Sequence, residues 1–555
     1  MWWYRLGMET REPLWWQRGV VYQIYPRSFQ DSNGDGIGDL AGIVDRLDYL
    51  RDTLSVDAIW LSPFYPSPMA DFGYDVADYV DVDPIFGDLP TFDRLVQEAH
   101  RRDIRIIIDF VPNHTSDRHP WFLESRSSRD NLKRDWYIWR DPEPDGSPPN
   151  NWLAHFGGRA WAWDDRTRQY YLHLFLKEQP DLNWRNPGVR AAMFDVVRFW
   201  LERGVDGFRI DVAYAIMKDP ELRDNPPNPN LPREMQSWGF GSQLHVHDMK
   251  HPDLHPVYRD LRRLLDDYSA GRPRVMIGEI HVYDWPEWAT YYGENLDEFH
   301  MPFNFGLIAL EVLGRPAEWS AATIRALVDA IEDATRGASG WPNYVLGNHD
   351  THRIASRVGP EGARLAMMLL LTLRGTPTLY QGDEIGMHDV DIPPDRVQDP
   401  FELMTPGLGF GRDPERTPMQ WDSGPNGGFC PDGVEPWLPL ADDYRTINVA
   451  AELADPRAML SLTHTLLALR QDHPALHSGS YRALDDVPED CFVYLREAGD
   501  EQFLVALNFG GEERQLDLRG WSEGRTALST YMDCQGESGK RLLLRSHEGC
   551  LIQCR

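Results

Sequence analysis

Cysteine is scarce in this chain of 555 residues: five in all, Cys430, Cys491, Cys534, Cys550 and Cys554. They form no CxxC pair, and four of them crowd the last stretch. An odd count without a framework argues against a disulfide scaffold and for reduced thiols in a reducing compartment. Only Cys550 and Cys554 are spaced so that they would bridge or share a metal. Positive charge is also short. Lys and Arg number 56 against 87 Asp and Glu, for a formal net charge of −31. That excludes the basic surface that nucleic acid or an anionic membrane requires, and it suits a neutral ligand. Most of the acidic charge reads as a solvated surface. No apolar run is long enough to span a bilayer. The segment Met1-Trp-Trp-Tyr-Arg-Leu-Gly-Met-Glu-Thr10 has no basic stretch followed by an apolar core and a small-residue cleavage site. The expectation is a cytoplasmic protein.

What is present is a rhythm. Apolar residues make up 42 %, normal for a globular chain, and the length calls for two or three structural units. Short β-branched runs at 20–25, 58–62, 105–110, 207–212, 275–279, 298–303, 344–347 and 378–381 alternate with helical patterns such as 91–101, 187–203, 257–268 and 321–335. Continuous apolar strands alternating with helices imply a parallel sheet covered by helices. Eight such units imply a closed (β/α)8 TIM barrel.

Two stretches break the rhythm. Residues 114–184 are rich in Trp, Asp, Pro and Gly, with Trp152, Trp161, Trp163 and one short run at 170–176; they read as an irregular domain inserted after the third strand. Residues 389–451, after the eighth strand, are full of Gly, Pro and Asp. Beyond a helical pattern at 456–470, short strand candidates at 491–495, 502–508, 514–517 and 541–544 read as a C-terminal antiparallel β domain. The expected division is 13–113 with 185–472 for the barrel, 114–184 for the insertion and 473–555 for the β domain.

Carboxylates stand where three of the apolar runs end. Asp211 closes Val205-Asp-Gly-Phe-Arg-Ile-Asp211, Glu279 closes Val275-Met-Ile-Gly-Glu279, and Asp350 closes Tyr344-Val-Leu-Gly-Asn-His-Asp350. Buried carboxylates are expensive, so repeated ones at strand ends point to chemistry. Alternation along a strand puts Arg209 and Asp211 on one face, at the barrel mouth where such enzymes place their sites. An adjacent arginine holds a carboxylate ionised, as a nucleophile needs; a structural ion pair fits that pattern equally. Glu279, after apolar neighbours, is expected to have a raised pKa suited to a general acid, although a helix-capping carboxylate is the commoner case. The third run, Arg105-Ile-Ile-Ile-Asp-Phe-Val-Pro-Asn-His114, brings Asp109, Asn113 and His114 to the same rim.

With these segments in order, the chain resembles the α-amylase family of retaining glycosidases. The resemblance rests on Asp109-Phe-Val-Pro-Asn-His114, Gly207-Phe-Arg-Ile-Asp211, Glu279 and Asn348-His-Asp350. It is extended by Val21-Tyr-Gln-Ile-Tyr-Pro-Arg-Ser-Phe29 and Gly375-Thr-Pro-Thr-Leu-Tyr-Gln-Gly-Asp-Glu384. Gln179-Pro-Asp-Leu-Asn-Trp184 and Arg416-Thr-Pro-Met-Gln-Trp421 point to its oligo-1,6-glucosidase and α-glucosidase branch. The match runs from about residue 15 into the tail and is weakest at 219–255 and after 472. It implies that Asp211 is the nucleophile, Glu279 the acid and base, and Asp350 the residue that holds sugar hydroxyls in the distorted transition state. His114, Arg209 and His349 would line the same subsite. Asp75 would bind terminal hydroxyls with Tyr74 nearby, and Arg412, favoured over Arg416, would close the pocket.

Asp31-Ser-Asn-Gly-Asp-Gly-Ile-Gly-Asp39 spaces oxygen donors like the first half of an EF-hand loop, but Gly42 stands where the twelfth-position glutamate belongs. The resemblance implies a structural calcium, or magnesium, held by Asp31, Asn33, Asp35, the Ile37 carbonyl and Asp39. The implied activity is exo-hydrolysis of short α-1,4- or α-1,6-glucosides, oligosaccharides or disaccharides, by a monomer or homodimer. Val212 after the nucleophile resembles α-1,6 cleavers, whereas Ala213-Tyr-Ala-Ile-Met-Lys-Asp-Pro220 resembles α-glucosidases that accept α-1,4 bonds. A glucosyltransferase or sucrose isomerase on the same scaffold is the alternative.

Overall fold

The computed structural model describes residues 13–231, 238–312, 319–518, 524–533, 536–538 and 541–554. Met1–Thr10, Cys534 and part of the 219–255 excursion therefore lie outside the described residues. Eight parallel strands form one sheet: β1 (Val21–Ile24), β2 (Ala58–Leu61), β3 (Arg105–Phe110), β4 (Gly207–Ile210), β5 (Val275–Gly278), β6 (Met301–Pro302), β7 (Asn343–Val345) and β8 (Thr376–Tyr380). Neighbouring strands pair in sequence order, β8 pairs with both β7 and β1, and a parallel bridge from Asn304 to Tyr344 closes the ring. The (β/α)8 barrel is thus present with all eight strands near their expected positions. The sixth shrinks to two residues.

Burial explains the strand composition. Both faces of each strand are covered, so β1, β2, β4, β5 and β8 are buried throughout. Helices Leu89–Arg101, Pro187–Glu202, Leu254–Asp267 and Ala321–Ala338 pack outside. Asp88 caps the first and Asn186 the second through side-chain bonds to Thr91 N and Gly188 N.

Between β3 and β4 lies a three-stranded antiparallel sheet in the order Trp139–Arg140, Gln169–Leu172, Trp161–Asp164. Its base is tied to the barrel by a buried cation: Lys218 Nζ forms an ion pair with Asp181 Oδ2 and donates to Asn113 Oδ1, both at 2.6 Å. Trp184 Nε1 donates to Pro112 O at 2.6 Å. The tail forms a six-stranded antiparallel sheet, faced by the two-stranded sheet Arg514–Asp517 and Arg541–Leu544 across Leu495, Leu504, Leu516 and Leu544. It packs on the barrel helix Ile354–Thr372, where Tyr494 Oη lies 2.6 Å from Thr372 Oγ1. Cys430, Cys491, Cys550 and Cys554 form no disulfide. No helix among the described residues is long and apolar enough to cross a membrane.

Candidate active site

Strand ends β3, β4 and β5 converge on one guanidinium. Arg209 Nη1 lies 2.7 Å from Asp109 Oδ1 and 2.7 Å from Asp211 Oδ1, and Nη2 lies 2.9 Å from Glu279 Oε2. All four side chains are buried. Arg209 also lies 5.1 Å from the centre of the Trp60 ring, a further favourable contact for its charge. Burial works against the Arg209 cation, but three carboxylates raise its pKa well above the ordinary arginine value. The cluster carries a net charge near −2 when all three are ionised, which favours holding a proton.

The structure revises two expectations here: Arg209 does not hold Asp211 ionised, and the Glu279 pKa is not raised. Glu279 does not sit among apolar neighbours. It accepts the Val212 backbone N–H at 2.7 Å as well as Arg209, and His281 Nε2 lies 3.1 Å from Oε1. Burial would raise its pKa, but Arg209 and His281 outweigh it and hold the carboxyl at about 2. Burial, with repulsion from Glu279 and Asp109 and against the pull of Arg209, pushes Asp211 well above the carboxylate range. One guanidinium between two carboxylates makes the proton a property of the pair. The pair keeps one proton to higher pH than two free carboxylates would.

Asp350, at the end of β7, is the most open of the three carboxylates, with a side chain 31 % exposed. Arg416 reaches its Oδ1 at 2.6 Å and Arg412 at 3.2 Å. Burial raises its pKa, but His349, Arg412 and Arg416 reverse that and hold it well below the carboxylate range. Both arginines, Arg412 and Arg416, therefore reach the same carboxylate oxygen. Arg412 also binds Asp71 Oδ1 at 2.8 Å and Asp399 Oδ1 at 2.6 Å. It ties the loop after β2 to the segment after β8 across the barrel mouth.

Asp75 needs correction. Its carboxylate is fully buried and accepts from Ser67 Oγ at 2.8 Å, Ala70 N at 3.0 Å and Asp71 N at 2.9 Å. Both oxygens serve its own loop, and burial pushes its pKa up to about 6. The carboxylate that joins the site from this loop is Asp71, which also receives Gln179 Nε2 at 3.1 Å. Tyr74, from the same loop, reaches the strand ends. Its hydroxyl lies 2.7 Å from His349 Nε2 and 3.1 Å from Asp109 Oδ2, and Gln23 Nε2 lies 2.7 Å from His349 Nδ1. That chain of bonds fits a neutral His349 donating from Nε2, and burial lowers its pKa to about 3. His114 is buried beside Gln179, within 3.1 Å of Tyr74 O, and burial lowers its pKa to about 4.

Sequence reasoning missed Asp71, Asp399 and His281. Asp71 and Asp75 share one irregular loop, and no period separates them. Asp399 precedes Pro400 and looks like a helix cap, yet its carboxylate binds Arg412.

The 31–39 loop is a run of turns closed by its own Asp and Asn side chains. Asp31 accepts Asn33, Gly34 and Gly36 N–H groups at 3.0, 2.6 and 2.8 Å. Asn33 accepts from Asp35 N and Asp35 from Ile37 N, each at 2.9 Å, and Asp39 caps the next helix through Gly42 N at 2.7 Å. Gly36 has φ +84°, and a Cβ there would meet Glu435 O at 2.2 Å, so only glycine fits. The donors are all oxygen, the set that calcium and magnesium prefer.

A parallel (β/α)8 barrel whose C-terminal mouth gathers several carboxylates around arginines defines a glycoside hydrolase class of site. The catalytic-domain model described as alpha amylase matches residues 23–479. The chain belongs to the alpha-amylase family. It is 42 % identical over 518 residues to a probable alpha-glucosidase of Rhizobium meliloti, covering 91 % of each chain. It is 39 % identical over 578 residues to an oligo-1,6-glucosidase of Parageobacillus thermoglucosidasius, covering 98 % of this chain and all of that one. Among solved structures, an alpha-glucosyl transfer enzyme superposes with a TM-score of 0.90 at 41 % identity, over 98 % of this chain and 100 % of the other.

Proposed function

We propose that this chain is a retaining, exo-acting α-glucosidase that releases terminal glucose from short oligosaccharides and disaccharides. One observation carries the mechanism: Asp211 and Glu279 meet on the same guanidinium, at 2.7 and 2.9 Å. Double displacement needs its two carboxyls about 5 Å apart. Asp211 attacks the anomeric carbon and forms the glucosyl ester. Glu279 protonates the leaving oxygen and then takes a proton from water. The pair starts with one proton, and the bound glycosidic oxygen draws it to Glu279, which leaves Asp211 ionised beside Arg209. Asp350 and Asp71 take the sugar hydroxyls, and His114 and His349 line the same subsite. The Asp71–Arg412–Asp399 link blocks an extending chain beyond the terminal glucose, which makes the action exo.

The 31–39 loop holds a structural calcium through Asp31, Asn33, Asp35, the Ile37 carbonyl and Asp39. It packs on the 429–437 segment, where Asp31 N donates to Phe429 O and Trp437 N to Gly36 O, both at 3.0 Å. The ion takes no part in bond cleavage. The domain limits given above, a cytoplasmic location and a monomer or homodimer complete the reading, with the thiols supporting a reducing compartment.

The second reading, glucosyl transfer, is favoured by the likeness to an alpha-glucosyl transfer enzyme. Initial rates on maltose, isomaltose, sucrose, trehalose and p-nitrophenyl α-glucoside, with products followed at high maltose, test both. Glucose as the main product supports hydrolysis, and mostly transfer products support the second reading. Inertness toward all five rejects the assignment.

A further inference from the structure

One group of side chains lies outside the sugar pocket and has no part in the mechanism: His352, just beyond Asp350; Asp389, after β8; and Glu415, next to Arg416. We propose that they form a second metal site, built for a borderline divalent cation of the zinc kind. Their donor atoms all lie within 4.8 Å of one another. His352 Nδ1 is 2.9 Å from Asp389 Oδ2 and 3.8 Å from Glu415 Oε2.

Glu415 carries the argument. Its side chain is 2 % exposed, it points at the imidazole, and its Oε2 has no hydrogen-bond donor. A buried acceptor left unmatched is costly, and more so when charged, so the carboxylate lacks a partner that a cation supplies. One imidazole nitrogen and two carboxylate oxygens suit zinc, whereas calcium takes oxygen alone. The His352 side chain is 44 % exposed, which leaves an entry path and a fourth position for water. Zinc bonds of about 2.0–2.2 Å put tetrahedral ligands roughly 3.5 Å apart, so the three groups need only small shifts. Binding displaces any proton shared between His352 and Asp389, and the proton that burial favours on Glu415.

The site has a consequence for the pocket. Asp389 also accepts the Arg353 backbone N–H at 2.8 Å. Arg416, beside Glu415, donates to His349 O and Asp350 Oδ1, both at 2.6 Å. The ion would clamp the loop after β7 to the segment that carries Arg416, and so position Asp350.

The test uses untagged full-length protein, freed of metal with chelator and then held in excess calcium to fill the 31–39 loop. Zinc is titrated by calorimetry, and bound zinc is counted after desalting. One zinc per chain is expected, weakened at least tenfold in Glu415→Gln and in His352→Ala, with a zinc-dependent rise in Tm in the wild type that His352→Ala lacks. His352→Ala decides alone if Glu415→Gln misfolds. No bound zinc in the wild type, or equal zinc affinity in His352→Ala, overturns the proposal.

Discussion

Val212 donates its backbone N–H to Glu279 Oε2 at 2.7 Å, from φ +33°. A β-branched residue rarely takes that left-handed conformation. Such strain persists where the surroundings over-determine it, typically at functional sites. Here it turns the chain immediately after Asp211 and links the strand end of one carboxylate to the other.

Asp211→Asn keeps the shape of the side chain and removes the nucleophile. Turnover of p-nitrophenyl α-glucoside should fall by about 10³-fold or more. Tm should hold or rise slightly, because a buried carboxylate leaves a crowded cluster. Retained activity in a folded variant would remove Asp211 from the mechanism.

Glu279→Gln should discriminate between leaving groups. Proton transfer contributes about 10²–10⁴-fold, so maltose should lose more than a dinitrophenyl glucoside, whose phenolate departs unaided. Steady-state kcat/KM on both substrates checks this; equal losses would contradict the acid role.

Removing Arg412 leaves Asp71 and Asp399 without their shared cation. Breaking buried ion pairs costs about 3–5 kcal/mol, so Arg412→Ala should lower Tm by several degrees. It should also raise KM for maltose and narrow the preference for maltose over maltotetraose. An unchanged preference would separate Arg412 from exo selection.

The strand ends were legible because burial writes a strong signal: an apolar run, then a carboxylate, as at Asp211, Glu279 and Asp350. The barrel follows from eight apolar runs alternating with helical patterns. What stayed hidden depends on side-chain direction in loops. Asp71 and Asp75 differ only in where their turn points them. The low pKa of Glu279 depends on Arg209 and His281, contacts that its own apolar strand does not encode.

Stability should fall with rising pH through Asp383. This residue is 1 % exposed, and burial pushes its pKa up to about 7 against the pull of Arg353. The folded value exceeds the unfolded one of about 3.9, so the folded chain binds the proton more tightly. The stabilisation is complete below about pH 4 and is lost as pH rises to 7, at roughly 1.4 kcal/mol per unit at most. Asp383→Asn keeps a neutral donor, so its Tm should fall less steeply over that range. Parallel curves for the two proteins would reject this origin.

The central claim is double displacement on one face of glucose by Asp211 and Glu279. NMR of the first glucose released from maltose, read before mutarotation, tests it most directly. The α-anomer is expected. Initial release of the β-anomer would contradict it.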